Sequence, residues 1–367
     1  FAATISVLNE DLSLDISATI EHALNVDKHG SGLAFLGSTS QSQLLPIQEK
    51  KDLIKEISKH KFQNQVIIGT GCNSLKDTIN LMCHSIEFGH KNFLIGNPAY
   101  FHNTDSGVYS FYSNIIKAVP ECCIVLYNFN KLMNFTFNVD LVKKLVHEYG
   151  DNIVGCKDSS SSVWDKIKLP SSFSMFVGTE IKLLKNLELG GAGVISATTN
   201  LTHSLARKIY DSFKKKKKVD NKIFERLCAI RKAYDETGNL VTALHYSLSL
   251  SDKRYKNLLP PLVTLNQEKQ KELLDKLKEG KKIFASKDVY STPINSEDIA
   301  IFIRKNMSRA KINKLLKKKI IHLSSNKRVS IYNFMKKISF IIGKPKNVVA
   351  VKDSFFNKKY NKPKNLG

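Results

Sequence analysis

Apolar residues fall into eight short unbroken runs along the first two hundred positions: 2–7, 32–36, 66–68, 93–95, 124–127, 153–156, 175–177 and 193–196. Most are rich in Val, Ile, Leu or Phe and show no alternation with polar residues, the pattern of strands buried on both faces of a parallel sheet. Between them lie stretches with helical spacing. The segment 49–57 puts Leu53, Ile54 and Ile57 on one face, 139–146 does the same with Leu141, Leu145 and Val146, and 183–189 runs into Gly190-Gly191, which predicts a helix C-cap. Eight strands and eight helices in strict alternation predict a closed (β/α)8 TIM barrel over residues 1–213. An open doubly wound sheet would need a Gly-rich phosphate loop after its first strand, and 9–14 is not one.

From 214 to 283 the pattern is helical only. Segments 223–234, 240–248 and 267–277 are amphipathic, with a Pro260-Pro261 break before the last, and predict a C-terminal helical extension. From 284 to 367 it changes again. Helix-like 295–305 and 331–342 alternate with strand-like 320–323 and 348–351, too little for an independent α/β domain. The expected organisation is therefore barrel, helical extension and a small basic α/β appendage.

Composition narrows the function classes. With 42% hydrophobic and 25% charged residues the chain is ordinary globular material. No apolar run reaches membrane-spanning length, and no signal peptide opens the sequence, so no membrane partner is expected. The chain starts at Phe1 inside a predicted strand and is read as a fragment. Its six cysteines fit neither a zinc site nor a disulfide framework and predict reduced thiols in the cytoplasm. The net charge of +24 is uneven: the last 84 residues carry roughly 20 Lys/Arg against about 4 Asp/Glu. Aromatics are not interleaved with those charges as a base-stacking surface requires, so no nucleic-acid partner is expected.

In a barrel the chemistry sits where the strands end. Lys157 ends the sixth apolar run, where removal from water favours the neutral, nucleophilic amine needed to attack a carbonyl. Tyr127 ends the adjacent run, where its hydroxyl can relay a proton to a carbinolamine. Ser38 and Thr39 follow the second run on a turn opened by Gly37, with hydroxyls and N–H groups suited to a carboxylate. Singly each has a plain structural explanation: a snorkelling lysine, a packing tyrosine, a capping hydroxyl. Together on neighbouring strand ends they describe a 2-oxo acid site.

Five segments at these strand ends, GSTSQSQLLPIQEK (37–50), VIIGTGCNS (66–74), YNFN (127–130), VGCKDSS (154–160) and GAGVISATTN (191–200), resemble the dihydrodipicolinate synthase / N-acetylneuraminate lyase family of class I aldolases in order and spacing. The resemblance runs from residue 1 to about 283. It implies that Lys157 is the Schiff-base lysine, Tyr127 the proton relay, Ser38 and Thr39 the carboxylate-binding hydroxyls, and Tyr100 a tyrosine lent across a subunit contact. It implies further that Ile195 contributes a carbonyl near pyruvate, and that the protein is a homo-oligomer, dimer or tetramer. The implied partners are pyruvate and an aldehyde, with no metal and no dissociable cofactor. The chain departs from the family's pattern at Ser40-Gln41, where the family has Gly-Glu, and at Asn130, where it has Pro. Leu132 stands where dihydrodipicolinate synthases carry an Arg that grips the second substrate. There are two alternatives: these departures leave open a catalytically silent barrel with a binding or regulatory role, and the other is a sugar-pathway fusion.

The second alternative comes from the tail. Segments TPINSEDIAIFI (292–303), IIHLSSNKRVSIYNFMKKIS (320–339) and NKPKN (361–365) are similar to the C-terminal end of short-chain reductases of the dTDP-dehydrorhamnose reductase kind. Tyr332 and Lys336 have the reductases' Tyr-x-x-x-Lys spacing but lie well past where that pair belongs, and are read as coincidence.

Overall fold

The computed structural model describes residues 1–168, 170–216 and 218–278, together with the strand segments 283–286, 290–291, 329–330 and 348–351. The chain divides into two compact units, Phe1–Leu277 and Lys278–Gly367.

The first unit is a barrel. Its strands are β1 (Ala2–Ala3), β2 (Leu33–Phe35), β3 (Val66–Gly69), β4 (Asn92–Gly96), β5 (Cys123–Asn128), β6 (Ile153–Asp158), β7 (Ser174–Val177) and β8 (Gly193–Val194). They pair in sequence order and all in parallel. A parallel bridge between Ala2 and Ser196 joins the last strand to the first, with the Ala3 N–H donating to the Ser196 carbonyl at 2.9 Å. Each apolar run of the sequence is thus a strand of one closed (β/α)8 sheet.

Side chains alternate across the barrel wall, as strand geometry requires. Ala3, Ala34, Ile67, Leu94, Val125, Phe176 and Ile195 meet inside the barrel. Phe35, Ile68, Phe93, Ile95, Leu126 and Cys156 point outward under the helices. Those helices are α1 (Ile16–Asp27), α2 (Ile47–Ile57), α3 (Leu75–Glu87), α4 (Asp105–Ala118), the one-turn α5 (Asn130–Met133), α6 (Val139–Tyr149), α7 (Leu183–Glu188) and α8 (Thr199–Lys214). Asp15, Ser74, Thr104 and Asn138 cap α1, α3, α4 and α6, each accepting an N–H in the first turn that the helix itself cannot satisfy. After α7 the chain turns at Gly190, whose φ of 85° is the left-handed conformation foreseen for the Gly-Gly pair.

The strict alternation of strands and helices fails in one place. Among the described residues no helix lies between β6 and β7. The link, 159–173, opens with four consecutive serines and contains Pro170, both poor helix material. Its backbone N–H groups are taken up by Asp158 instead of by a helix ladder. Buried Val163 and half-buried Trp164, Ile167 and Phe173 cover the core that a helix would otherwise cover.

The extension consists of α9 (Asn221–Asp235), α10 (Leu240–Ser249) and α11 (Gln267–Lys278), all three in the regions of helical spacing. Ile283, expected to belong to the all-helical stretch, lies in a strand. In the second unit β9 (Ile283–Ser286) pairs in parallel with β12 (Val348–Val351), and β10 (Tyr290–Ser291) pairs antiparallel with β11 (Val329–Ser330). The strand expected at 348–351 is β12. The helices expected at 295–305 and 331–342, with Tyr332 and Lys336, and the strand expected at 320–323 lie outside the described residues. No described helix is long and apolar enough to cross a membrane.

Candidate active site

Adjacent strand ends bring the predicted residues together at the C-terminal mouth of the barrel. Tyr127 of β5 is in register with Lys157 of β6, and Lys157 with Phe176 of β7. Lys157 is only 4% exposed. Its Nζ lies 4.2 Å from the centroid of the Tyr127 ring, and its amine forms no hydrogen bond or ion pair among the described residues. A buried amine without a counter-ion is unusual for a structural lysine, which normally reaches water or a carboxylate. The adjoining carboxylate does not serve it. Asp158 Oδ1 accepts the N–H groups of Ser160 and Ser161, and Oδ2 those of Val163 and Trp164. The Asn128 amide adds a further bond at 2.8 Å.

The Tyr127 hydroxyl and the Ser38 hydroxyl are 3.0 Å apart, and either can donate. This joins the amine, the phenol and the carboxylate turn in one line. The turn itself is a single 3-10 turn, Ser38–Ser40, so the N–H groups of Ser38 and Thr39 have no acceptor within it. Thr39 is buried beside Ser38. Left-handed residues bracket the turn, Leu36 at φ 54° and Gln41 at φ 57°, a conformation that costs a non-glycine residue about 1 kcal/mol or more. The Leu36 carbonyl then lies so close to Gly69 that a Cβ there would stand 2.3 Å from it. The departure at Ser40-Gln41 is built into this arrangement. Ser40 Oγ donates to the Thr4 carbonyl at 2.5 Å, and Gln41 reaches out to the helical extension.

Ile195 is fully buried, its N–H donating to the Val177 carbonyl, and its side chain packs in the same interior cluster as Tyr127. Two predicted residues are not drawn in. Tyr100 is 80% exposed, its ring packed edge-on against Phe101, which is 77% exposed. Leu132 sits on α5, also exposed.

One polar cluster at the mouth was not foreseen. Glu180, just after β7, is fully buried. It accepts from Ser196 at 2.8 Å, Thr198 at 2.6 Å and Thr199 at 3.1 Å, and pairs with Arg231 of α9 at 3.1 Å. Burial pushes its carboxyl up, but the Arg231 guanidinium and the Thr198 and Ser196 hydroxyls outweigh burial and hold it below the usual carboxylate value. Arg231 also donates to the Gly178 carbonyl and Ser196 Oγ, tying the ends of β7 and β8 to the extension. With Asp158 and Glu180 both saturated, neither is open to a ligand. Among the described residues no group of three His, Cys, Asp or Glu is placed to hold a metal.

A cavity of about 360 Å³ lies at the other end of the barrel, lined by Gly32, Gln65, Gly193, Arg207 and Tyr210 where the strands begin. Phe176 and Thr199 also line it, but Lys157, Tyr127, Ser38, Thr39 and Glu180 do not. Catalytic groups in this fold gather at the strand C-termini, which makes the Lys157 end the candidate site.

Comparison with known proteins agrees with this architecture. An uncharacterised DapA-like lyase from Thermococcus onnurineus is 28% identical over 282 residues, 74% of this chain and 95% of that protein. A 4-hydroxy-tetrahydrodipicolinate synthase from Prochlorococcus marinus is 27% identical over 279 residues, 74% of this chain and 92% of its own length. Among solved structures, YagE, a prophage protein of the dihydrodipicolinic acid synthase family from E. coli K12 in complex with pyruvate, superposes with a TM-score of 0.67 at 24% identity. It covers 76% of this chain and 97% of that one. The family model for the dihydrodipicolinate synthetase family matches residues 1–280, and the chain belongs to that family.

Proposed function

We propose that the barrel is a class I lyase or aldolase that joins pyruvate to an aldehyde, or cleaves the adduct, through a Schiff base on Lys157. The observation that carries this is the buried, unpaired Lys157 amine lying against Tyr127, whose hydroxyl meets Ser38. The 2-oxo acid carboxylate is held by the Ser38 and Thr39 hydroxyls and by the N–H groups of their turn. The amine adds to the ketone carbon. Tyr127, in contact with Ser38, passes a proton to the carbinolamine oxygen, which leaves as water to give the imine. Loss of a C3 proton gives an enamine, whose carbon attacks the aldehyde; hydrolysis then returns the amine. Ile195, in the same interior cluster as Tyr127, offers its carbonyl near the pyruvate carbons. The pyruvate-bound relative accords with this choice of 2-oxo acid.

The second substrate differs from that of a dihydrodipicolinate synthase, because Leu132 replaces the arginine that would grip its carboxylate. The exposed Tyr100 fits a residue given to a neighbouring subunit of a homo-oligomer, where it would complete that subunit's proton relay. The residues that carry this chemistry all belong to the first unit.

The test is borohydride trapping with pyruvate, read by intact-mass and peptide mass spectrometry. A reduced pyruvyl adduct on Lys157, absent from Lys157→Ala, is the expected result. A folded wild-type protein that traps no pyruvate sinks the proposal and leaves the catalytically silent barrel.

A further inference from the structure

The carboxylate turn is strained at both ends, and nothing within it explains why Gln41 stays left-handed. The explanation lies some two hundred residues away in sequence. Gln41 is 3% exposed. Its side-chain oxygen accepts the Leu259 N–H at 2.7 Å, and its side-chain nitrogen lies 3.4 Å from His245 Nε2 on α10. His245 is 1% exposed, and its Nδ1 is 2.9 Å from the Tyr255 carbonyl. A carbonyl can only accept, so Nδ1 carries the proton. The neutral ring therefore presents a lone pair at Nε2, which suits the Gln41 amide N–H and nothing else on that side chain. The amide is oriented from both sides. Burial, opposed by the Tyr255 hydrogen bond and aided by His22, pushes the imidazole down to about 4, in keeping with the neutral tautomer. His22 of α1 is the titratable neighbour acting on it. His22 is itself tied to Tyr255 Oη at 3.1 Å and Asn200 Oδ1 at 2.8 Å, while Asp252, Glu21 and Arg254 stand around Tyr255.

We infer that Gln41 is a positioning residue for the 2-oxo acid carboxylate. Through it the C-terminal extension, acting by His245 of α10 in its Nδ1–H tautomer and by the Leu259 N–H of the link that follows, holds the Ser38–Thr39 turn in its binding shape. This rests on the assignment of that turn to pyruvate. It gives the helical extension a task at the active site and explains how the barrel tolerates glutamine where the family has glutamate. A carboxylate at position 41 would face the Nε2 lone pair and would be stable only against a protonated imidazole.

Gln41→Glu tests this because it keeps the size and reverses the proton demand. Wild type is trapped first, at graded pyruvate, to give a half-saturating concentration and a maximal adduct yield at pH 6 and at pH 8.5. In Gln41→Glu the half-saturating concentration, relative to wild type at the same pH, is expected to be within about threefold at pH 6, where the new carboxylate raises the imidazole above its wild-type value of about 4 and an imidazolium–carboxylate pair forms. At pH 8.5, where the pair is lost, it should be about tenfold or more higher. The saturated yield should stay near wild type at both. A ratio that does not change with pH overturns the inference, because a merely structural role would not follow a proton. His245→Phe, which removes the acceptor at similar size, should raise the half-saturating concentration about tenfold at both pH values. An unchanged value in the folded variant overturns the inference on its own. No adduct in wild type refutes the parent assignment; an adduct in wild type with a flat ratio refutes only the role of Gln41.

Discussion

Arg231→Met isolates the buried pair that fastens the barrel mouth to the extension. Glu180 is fully buried and Arg231 nearly so, and the guanidinium also serves the Gly178 carbonyl and the Ser196 hydroxyl. Methionine fills much of the volume but strands the carboxylate. Removing one partner of such a pair costs about 3–5 kcal/mol at neutral pH. For a unit of this size that is a fall in Tm of about 10 °C. The sign of the pH dependence is the sharper check. In wild type Glu180 is held below its ordinary value. Its contribution is therefore present above the unfolded pKa, about 4.3, and fades as pH falls through the folded value. Without Arg231, burial dominates and the folded pKa moves above the unfolded one. The folded state then holds the extra proton, so stability falls with rising pH by up to about 1.4 kcal/mol per unit until the carboxyl ionises. The gap between wild type and variant should be small near pH 5 and several-fold larger at pH 8 in urea melts. Adding Glu180→Gln should flatten that dependence and recover stability at pH 8. Equal gaps at both pH values would show that Arg231 does not govern the charge of Glu180, and the electrostatic account would fail.

Three other perturbations follow from the same geometry. Asp158→Asn turns one acceptor oxygen into a donor facing backbone N–H groups, and should cost about 2–3 kcal/mol in urea unfolding and lower the pyruvate trapping yield; a Tm within 1 °C of wild type, about the noise of a melt, would contradict the role given to the carboxylate. Gly69→Ala places a methyl against the Leu36 carbonyl, which as backbone cannot swing aside. The end of β2 should shift and the half-saturating pyruvate concentration rise about tenfold or more, and unchanged trapping would refute the packing argument. The buried neutral His245 predicts an acid limb. Its folded value, about 4, lies below the unfolded value near 6.5, so the unfolded chain takes the proton first. Stability should decline by about 3 kcal/mol as pH falls from 6.5 to 4 and be indifferent to this group above; an NMR titration of the ring with a midpoint above pH 6 would contradict it.

The barrel was legible because each of its strands is buried on both faces, which leaves unbroken apolar runs that no surface strand produces. Lys157 and Tyr127 were legible for a related reason. A polar residue ending such a run must lie at the mouth, and successive runs of a parallel barrel are neighbours. The missing helix between β6 and β7 was not, because the rule of alternation outweighed the composition of the link. Four serines after an aspartate favour side-chain and carboxylate contacts to backbone N–H groups over a helix ladder, and Asp158 is where they converge. Gln41 with His245, and Glu180 with Arg231, leave no local trace. Their partners are 204 and 51 residues apart, and each member alone reads as an ordinary polar residue.

Those three clusters frame the proposed Schiff-base site. Gln41 with His245 fixes the loop after β2, Asp158 with its four N–H donors fixes the loop after β6, and Glu180 with Arg231 fixes the ends of β7 and β8. In each, the buried charge or amide is fully partnered within the protein, so none competes for Lys157 or for a substrate. The groups left with chemical capacity are those at the centre: the Lys157 amine, the Tyr127–Ser38 hydroxyl pair, and Thr39. A Schiff-base site needs this division. An outer ring with its hydrogen bonds spent gives rigidity, while at the centre the Tyr127 and Ser38 hydroxyls bond each other and the Lys157 amine bonds none of the described residues. Asp158 and Glu180, the carboxylates at the mouth, are each committed to partners of their own.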